Sequence, residues 1–360
     1  MKMKALTQYI RRNPLSVFLV AFPLALLAEW LHWGSIWVFF LSALGVVPMA
    51  GYIGSATESL AAYTGPKIGG LLNATLGNAA ELIITLMAIK AGYLELVKAS
   101  ITGSIIGNIL FVLGLSMLLG GIKNGLQVFD RRQAGNHCIL LTLSVLALTI
   151  PSLFSHSIGE EGSVKVEILS LGVAVVMIVL YVLGIIYSLK GFDNPLSHKP
   201  DLDHGKAEYK ASTAIIILAL ATFGVVILSE LLVGAVEVVV SSLGISEFFL
   251  GIILIPIVGN VAEHLVAVQV AIRNKMELSV EIAVSSSIQI ALFVAPLLVF
   301  ISLLMGNPLT LIFNQFELIA LGAGIIIAAL VAWDGESNWL EGASLVAVYS
   351  ILSLSFFLMP

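Results

Sequence analysis

Residues 77–81 read GNAAE, and residues 259–263 read GNVAE. Both lie inside long apolar stretches, and His264 follows the second. The offset between them is 182 residues. Held constant, it also aligns Glu95 with Glu277, Leu96 with Leu278, Ser104 with Ser286, and Leu110-Phe111-Val112 with Leu292-Phe293-Val294. Eleven of the 36 positions from 77 to 112 are identical at this offset. Apolar composition alone gives some coincidences, but not paired glutamates behind Gly-Asn, so the chain carries an internal repeat.

Outward from these motifs, the composition is that of a membrane protein. Of 360 residues, 59% are hydrophobic and 11% charged, against roughly 25% charged in soluble domains. The mean hydropathy is +1.06. Soluble globular and disordered classes are excluded. One cysteine, Cys138, excludes an intramolecular disulfide and a cysteine-based metal cluster. No basic patch interleaved with aromatics points to nucleic acid as a partner. Membrane lipid is the expected surround, and homo-oligomerisation stays open.

A membrane helix needs about 20 apolar residues. Eleven stretches qualify, near 15–31, 35–63, 68–91, 95–120, 134–154, 164–189, 211–241, 247–272, 277–304, 314–332 and 339–358. The expected fold is therefore an all-α integral membrane protein with eleven transmembrane helices. The second and seventh stretches are too long to cross upright and are expected to tilt or break. With the N-terminus inside, fourteen of the seventeen Lys and Arg fall in inner loops, and only Lys90, Lys98 and Lys165 fall outside. The positive-inside rule thus sets the N-terminus cytoplasmic and the C-terminus outside. The N-terminal stretch reads as a first helix rather than a signal peptide.

The division expected is an extra N-terminal helix in 1–34, a first five-helix repeat in 35–189, a cytoplasmic linker in 190–210, and a second repeat in 211–360. Five is odd, so the second repeat enters the membrane upside down. Such inverted repeats build secondary transporters, with the binding site near the midplane. The linker reads as a solvated segment. His198 and His204 within it have no metal-ligand spacing.

Glu81 and Glu263 fall near mid-membrane, where an acid costs roughly 2.5–3.5 kcal/mol on insertion scales. Such residues mark ion pathways. On a helix Asn78 shares a face with Glu81, as Asn260 does with Glu263. Gly77 and Gly259 have two readings, close helix packing and access to backbone carbonyls where the helix loosens. Pro256 withholds an N–H one turn before Gly259. Ser104, Asn108, Ser286 and Gln289 add neutral oxygens, with interhelical bonding as the other reading. An all-oxygen set with two carboxylates suits a hard divalent cation such as Ca²⁺. Emptied of the ion, two carboxylates in a dry site repel one another and lose hydration, so the pair takes up protons. Ca²⁺ and H⁺ then compete for the same groups, which is the chemistry of an antiporter. His264 is either a proton relay or a packing group. Glu58 and Glu230 either line the two approach routes or snorkel to an interface.

With these residues, the chain resembles the calcium/proton exchanger family of the Ca²⁺/cation antiporter superfamily. GNAAE at 77–81 and GNVAEH at 259–264 match its two signature repeats. ATESL at 56–60, GSIIGN at 103–108 and WDGESNWLEGA at 333–343 extend the match over nearly all of 50–358. The resemblance implies Ca²⁺ extrusion or sequestration against H⁺ by alternating access, with Glu81 and Glu263 binding the ion; the cell membrane is the expected location. It also implies that the second and seventh helices slide to gate the site. No cofactor is implied beyond the transported ions. Some members carry an acidic segment between the halves, whereas 190–210 here balances four acids with four lysines. Sodium/calcium relatives carry a further carboxylate or amide in the helix equivalent to the ninth span. Here Ile290 stands opposite Asn108, with Gln289 beside it, which argues against several Na⁺ sites. Exchange coupled to Na⁺ or K⁺, Mn²⁺ as the cargo, and a passive cation channel are the competing readings. The chain has no H-E-x-x-H or G-x-S-x-G motif, so it does not read as an intramembrane enzyme.

Overall fold

The computed structural model describes residues 14–159, 162–191 and 207–359. Most of the 190–210 linker, with His198 and His204, lies outside the described residues. The same holds for Lys2, Lys4, Arg11, Arg12, Lys199 and Lys206.

Among the described residues the architecture is all-helical apart from a two-residue antiparallel ribbon, Gln127–Val128 with Glu336–Ser337. Among the described residues, eight helices are long and apolar enough to cross a membrane. They are Ser35–Gly65, Leu94–Asn124, Arg131–Ser155, Val164–Tyr187, Ala211–Gly234, Glu247–Ile272, Met276–Met305 and Trp339–Phe357. Leu15–Trp30 and Gln315–Val331 are shorter apolar helices. Each of these ten begins within three residues of an expected span.

The expected span at 68–91 is preceded by one departure from a regular helix and interrupted by another. Gly65 takes φ 80° and ψ 170°, a conformation open to glycine but not to a side chain, and it separates Ser35–Gly65 from the helical turns up to Leu76. At Gly77–Asn78 the helical ladder lapses before Ala79–Ala91 begins. The long seventh span breaks as well. Ala211–Gly234 ends at Ala235, and Val236–Leu243 continues beyond it.

Among the described residues, three segments widen into π-helix: Gly107–Val112, Leu250–Leu254 and Ile290–Val294. The first and third both contain the Leu-Phe-Val triplet of the internal repeat. π-Turns are uncommon and cluster at functional sites, so the repeated sequence carries a repeated backbone irregularity.

The chain divides into two compact units, each drawing on both halves of the sequence. One holds residues up to 87, 207–247 and 258–262. Its core packs Ala50, Ile53, Ala80, Ala221 and Val225 together, with Met49 and Leu218 against them. Gly224 receives the Met49 side chain. Tyr209 is clamped to Ser35–Gly65, where its N–H donates to Ser59 Oγ and its carbonyl accepts from the Tyr63 hydroxyl, both at 3.3 Å.

The other unit holds 88–191, 248–257 and 263–359 among the described residues. Two of its helical segments meet backbone to backbone. A Cβ on Gly103 would run into the Ile252 carbonyl, and one on Gly251 would lie 2.7 Å from the Leu96 carbonyl. Pro256 supplies no N–H to that Ile252 carbonyl, which is the chemistry expected of a proline here.

An extended segment, 307–314, is buried in this unit without a sheet to pair with. Serines from three helices take the partner's place. Leu309 N–H donates to Ser302 Oγ at 2.8 Å, Leu311 N–H to Ser170 Oγ at 3.0 Å, and Phe313 N–H to Ser152 Oγ at 2.9 Å. Alternate residues of an extended chain direct their N–H groups to the same side, so each rung falls on an odd-numbered residue. The segment ends in a capping box, Asn314 with Glu317, which starts Gln315–Val331.

Candidate ion site

Glu81 lies in the first turn of Ala79–Ala91 and is 1% exposed. Its carboxylate Oε2 accepts a hydrogen bond from the Asn260 amide nitrogen at 3.2 Å. Thr85 returns its hydroxyl to the Glu81 carbonyl at 2.9 Å. Gly259 packs on this residue too, since a Cβ there would lie 3.5 Å from Glu81 Cβ. The small residue lets the second motif approach the first acid. Asn78 is buried at the lapse in the helix, and its carbonyl accepts from Leu82 N–H at 2.9 Å. Gly77 keeps helical dihedrals, with its N–H on the Asn73 carbonyl at 2.8 Å.

The two motifs differ in backbone. The ladder lapses at Gly77–Asn78 but runs unbroken through Gly259 and Asn260 in Ile255–Ile272. There the irregularity lies one turn earlier, in the π-helix Leu250–Leu254 that precedes Pro256. Proline lacks the N–H that a regular helix needs at that position, so the disturbance sits where the ring removes a bond rather than at the glycine.

In the other unit Glu263 is half-buried, and its Oε2 accepts from the Ser286 hydroxyl at 3.1 Å. His264 is buried, with Nε2 at 3.1 Å from Asn108 Oδ1. Asn108 occupies the π-helix Gly107–Val112, and its buried Nδ2 has no hydrogen-bond partner. Ser287, beside Ser286, donates to the Ile105 carbonyl at 3.4 Å and ties the two π-bearing helices. Ser104 is buried on Leu94–Ile106, and Gln289 is half-buried at the end of Met276–Gln289.

The structure therefore gives each motif acid a neutral donor from a distant segment, Asn260 for Glu81 and Ser286 for Glu263. Glu58 and Glu230 both have exposed side chains. Among the described residues, no group of three or more His, Cys, Asp or Glu is placed to hold a metal ion. Sequence reasoning missed Glu317 and its donor Thr102. The signal was present at one end, since Asn314-Gln315-Phe316-Glu317 is a capping-box pattern. Nothing in sequence points to Thr102 as its partner.

The sodium/calcium exchanger protein family matches residues 34–190 and 213–358. A Ca²⁺/H⁺ antiporter of Aphanothece halophytica is 41% identical, covering 98% of both chains. The Ca²⁺/H⁺ antiporter ChaA of Bacillus subtilis is 41% identical, covering 94% of this chain and 96% of its own. The solved structure of native YfkE, 38% identical, superposes with a TM-score of 0.84, covering 96% of this chain and 100% of that one. An H⁺/Ca²⁺ exchanger structure, CAX, shares the fold at 17% identity with a TM-score of 0.73, covering 96% of this chain and 92% of that one.

Proposed function

This chain belongs to the sodium/calcium exchanger protein family, and from that premise we propose that it exchanges Ca²⁺ for H⁺ across a membrane by alternating access. It is a transporter, not an enzyme. Antiporter relatives that align end to end at about 41% identity support this reading.

Glu81 and Glu263 bind the ion in this proposal. One divalent cation balances two carboxylates, and the neutral groups that now hold the acids, Asn260 and Ser286, become oxygen ligands or steady the carboxylates when the ion arrives. The observation that carries the proposal is the repeated arrangement itself. Each signature glutamate follows a Gly-Asn pair and accepts a hydrogen bond from an uncharged side chain.

The eleven crossings, the inverted repeat, the boundaries at 35–189 and 211–360, and a cytoplasmic N-terminus with an outer C-terminus complete the proposal. The matching π-helices support the repeat. Contacts in the larger unit fit the alternation. Elements expected on the outer side bond one another, with Asn307 on the Ile89 carbonyl and the 309–313 segment on Ser152 and Ser170. Elements expected on the inner side do likewise, with Gln127 on Ala271 and Asn274 and Arg131 stacked on Trp333. The cell membrane is the proposed location.

The test is ⁴⁵Ca²⁺ uptake into everted vesicles with an imposed pH gradient. Uptake that collapses with the gradient is expected. Uptake indifferent to the pH gradient but driven by Na⁺ would overturn proton coupling.

A further inference from the structure

Glu317 is a carboxylate that the exchange chemistry does not use. It is 1% exposed, and Lys98 and Thr102 beside it are buried as well. Burying a carboxylate is costly unless its oxygens are satisfied. One oxygen, Oε2, accepts from Asn314 N–H at 2.8 Å and completes the capping box. The other, Oε1, accepts from the Thr102 hydroxyl at 3.2 Å, across 215 residues of sequence. Lys98 pairs with Glu95 one turn before Thr102, and both of these charges act on Glu317.

Capping alone does not call for this burial. The same chain has a second box, Asn338 with Glu341, in which the glutamate is half-buried and bonds its own cap. What sets Glu317 apart is its second oxygen, which grips a different helix.

We infer that Glu317 is a positioning residue for the ion site, holding Thr102 and through it Ser104 and Asn108. Thr102 precedes Ser104 by two residues on Leu94–Ile106, and the helix then widens into the π-helix that carries Asn108. A π-turn departs from the regular α-helical ladder and is found frequently at functional sites, so an anchor shortly before it sets where Asn108 lies. Glu317 supplies that anchor from the end of the serine-held segment 307–314, which is fixed to three other helices.

This inference rests on the Ca²⁺/H⁺ exchange reading. The experiment reconstitutes wild type and variants in liposomes and measures ⁴⁵Ca²⁺ KM and Vmax under a pH gradient, normalised to folded protein. T102V keeps the shape and removes the donor, and E317A removes the acceptor. Both are expected to raise the Ca²⁺ KM about tenfold, the scale of one hydrogen bond to a charged group, with a smaller change in Vmax. T102S keeps the hydroxyl. In E317Q one amide atom accepts from Asn314 N–H and the other donates to Thr102 Oγ. Both are expected to stay within about twofold of wild type, well under the energy of one such bond. If E317A does not fold, T102V decides. A wild-type KM in T102V overturns the inference, as does E317Q impaired as severely as E317A. Absence of pH-driven uptake in the wild type itself would instead overturn the exchange reading.

Discussion

The Asn260 amide nitrogen holds the Glu81 carboxylate at 3.2 Å, joining two residues 179 positions apart, one from each copy of the repeated motif. The first acid is thus completed by the second motif's asparagine. Substituting Asn260 by Ala is expected to weaken apparent Ca²⁺ affinity by about tenfold, because a hydrogen bond to a buried charged group is worth roughly 1.5–3 kcal/mol. Glu81→Gln and Glu263→Gln are expected to abolish exchange while the protein still inserts, since glutamine keeps the volume but loses the charge and the proton. Wild-type flux in either purified Gln variant would remove that residue from the ion site.

His264 and Asn108 should act as a pair. His264→Ala and Asn108→Ala are each expected to lower transport, and the double variant to be no worse than the more impaired single one. The bond between them at 3.1 Å predicts a coupling energy of about 1 kcal/mol in a double-mutant cycle. Strict additivity in the Ca²⁺ KM would show that the contact is incidental. A relay role for His264 would additionally slow turnover while leaving equilibrium Ca²⁺ binding intact.

The pH dependence has a definite sign. In the proposed exchange, protons leave Glu81 and Glu263 before Ca²⁺ binds, so apparent Ca²⁺ affinity is expected to rise with pH and level off once both acids are ionised. Calorimetric binding measured from about pH 5 to 9, a range spanning the ordinary Glu and His values, checks it. A flat profile would mean that the two cations do not compete for the same groups.

The serine rungs make a separate prediction about stability. Ser170→Ala leaves the Leu311 N–H buried without its acceptor. A loss of about 1–3 kcal/mol is expected, read as a lower unfolding midpoint in detergent. An unshifted midpoint would show that water or a rearranged backbone serves equally well.

Gly103→Ala tests the backbone-to-backbone contact with Ile252. The added methyl has no room against a carbonyl that cannot swing aside as a side-chain tip does. Overpacking of this kind typically costs about 1–3 kcal/mol. Full stability in this variant would mean that the two helices separate easily there.

How much of the structure is written in the sequence differs from residue to residue. The helical segments are legible because a long apolar run between charged or glycine-rich breaks is a one-dimensional signal. Glu81 and Glu263 stand out because an acid in such a run is costly. The stop at Ala235 is foreshadowed by the excess length of the seventh stretch, whereas the comparably long second stretch runs unbroken to Gly65. The π-helices are not legible, because a widened turn leaves no periodic trace in so short a stretch. Nor are the partners. Thr102 for Glu317, Asn260 for Glu81 and Ser170 for Leu311 N–H are single polar side chains far from their partners in the chain, and in sequence each is one hydroxyl or amide among many. At the second motif the irregularity lies upstream of Gly259, in Leu250–Leu254 before Pro256, a displacement that the matching Gly-Asn pairs do not announce.

The rungs beneath 307–314 also constrain how the polypeptide is made. Ser152 and Ser170 leave the ribosome well over a hundred residues before the N–H groups they receive, separations of 161 and 141 positions. Until then Ser152 has a provisional partner, the Leu148 carbonyl on its own helix at 3.4 Å. The early helices can therefore enter the bilayer with that hydroxyl already occupied, and they wait there for a strand that does not yet exist. Closure of this unit becomes a late event in biogenesis, after the helix ending at Met305 has crossed. A nascent chain halted before residue 309 should have its helices in the membrane but lack the lock that fastens them.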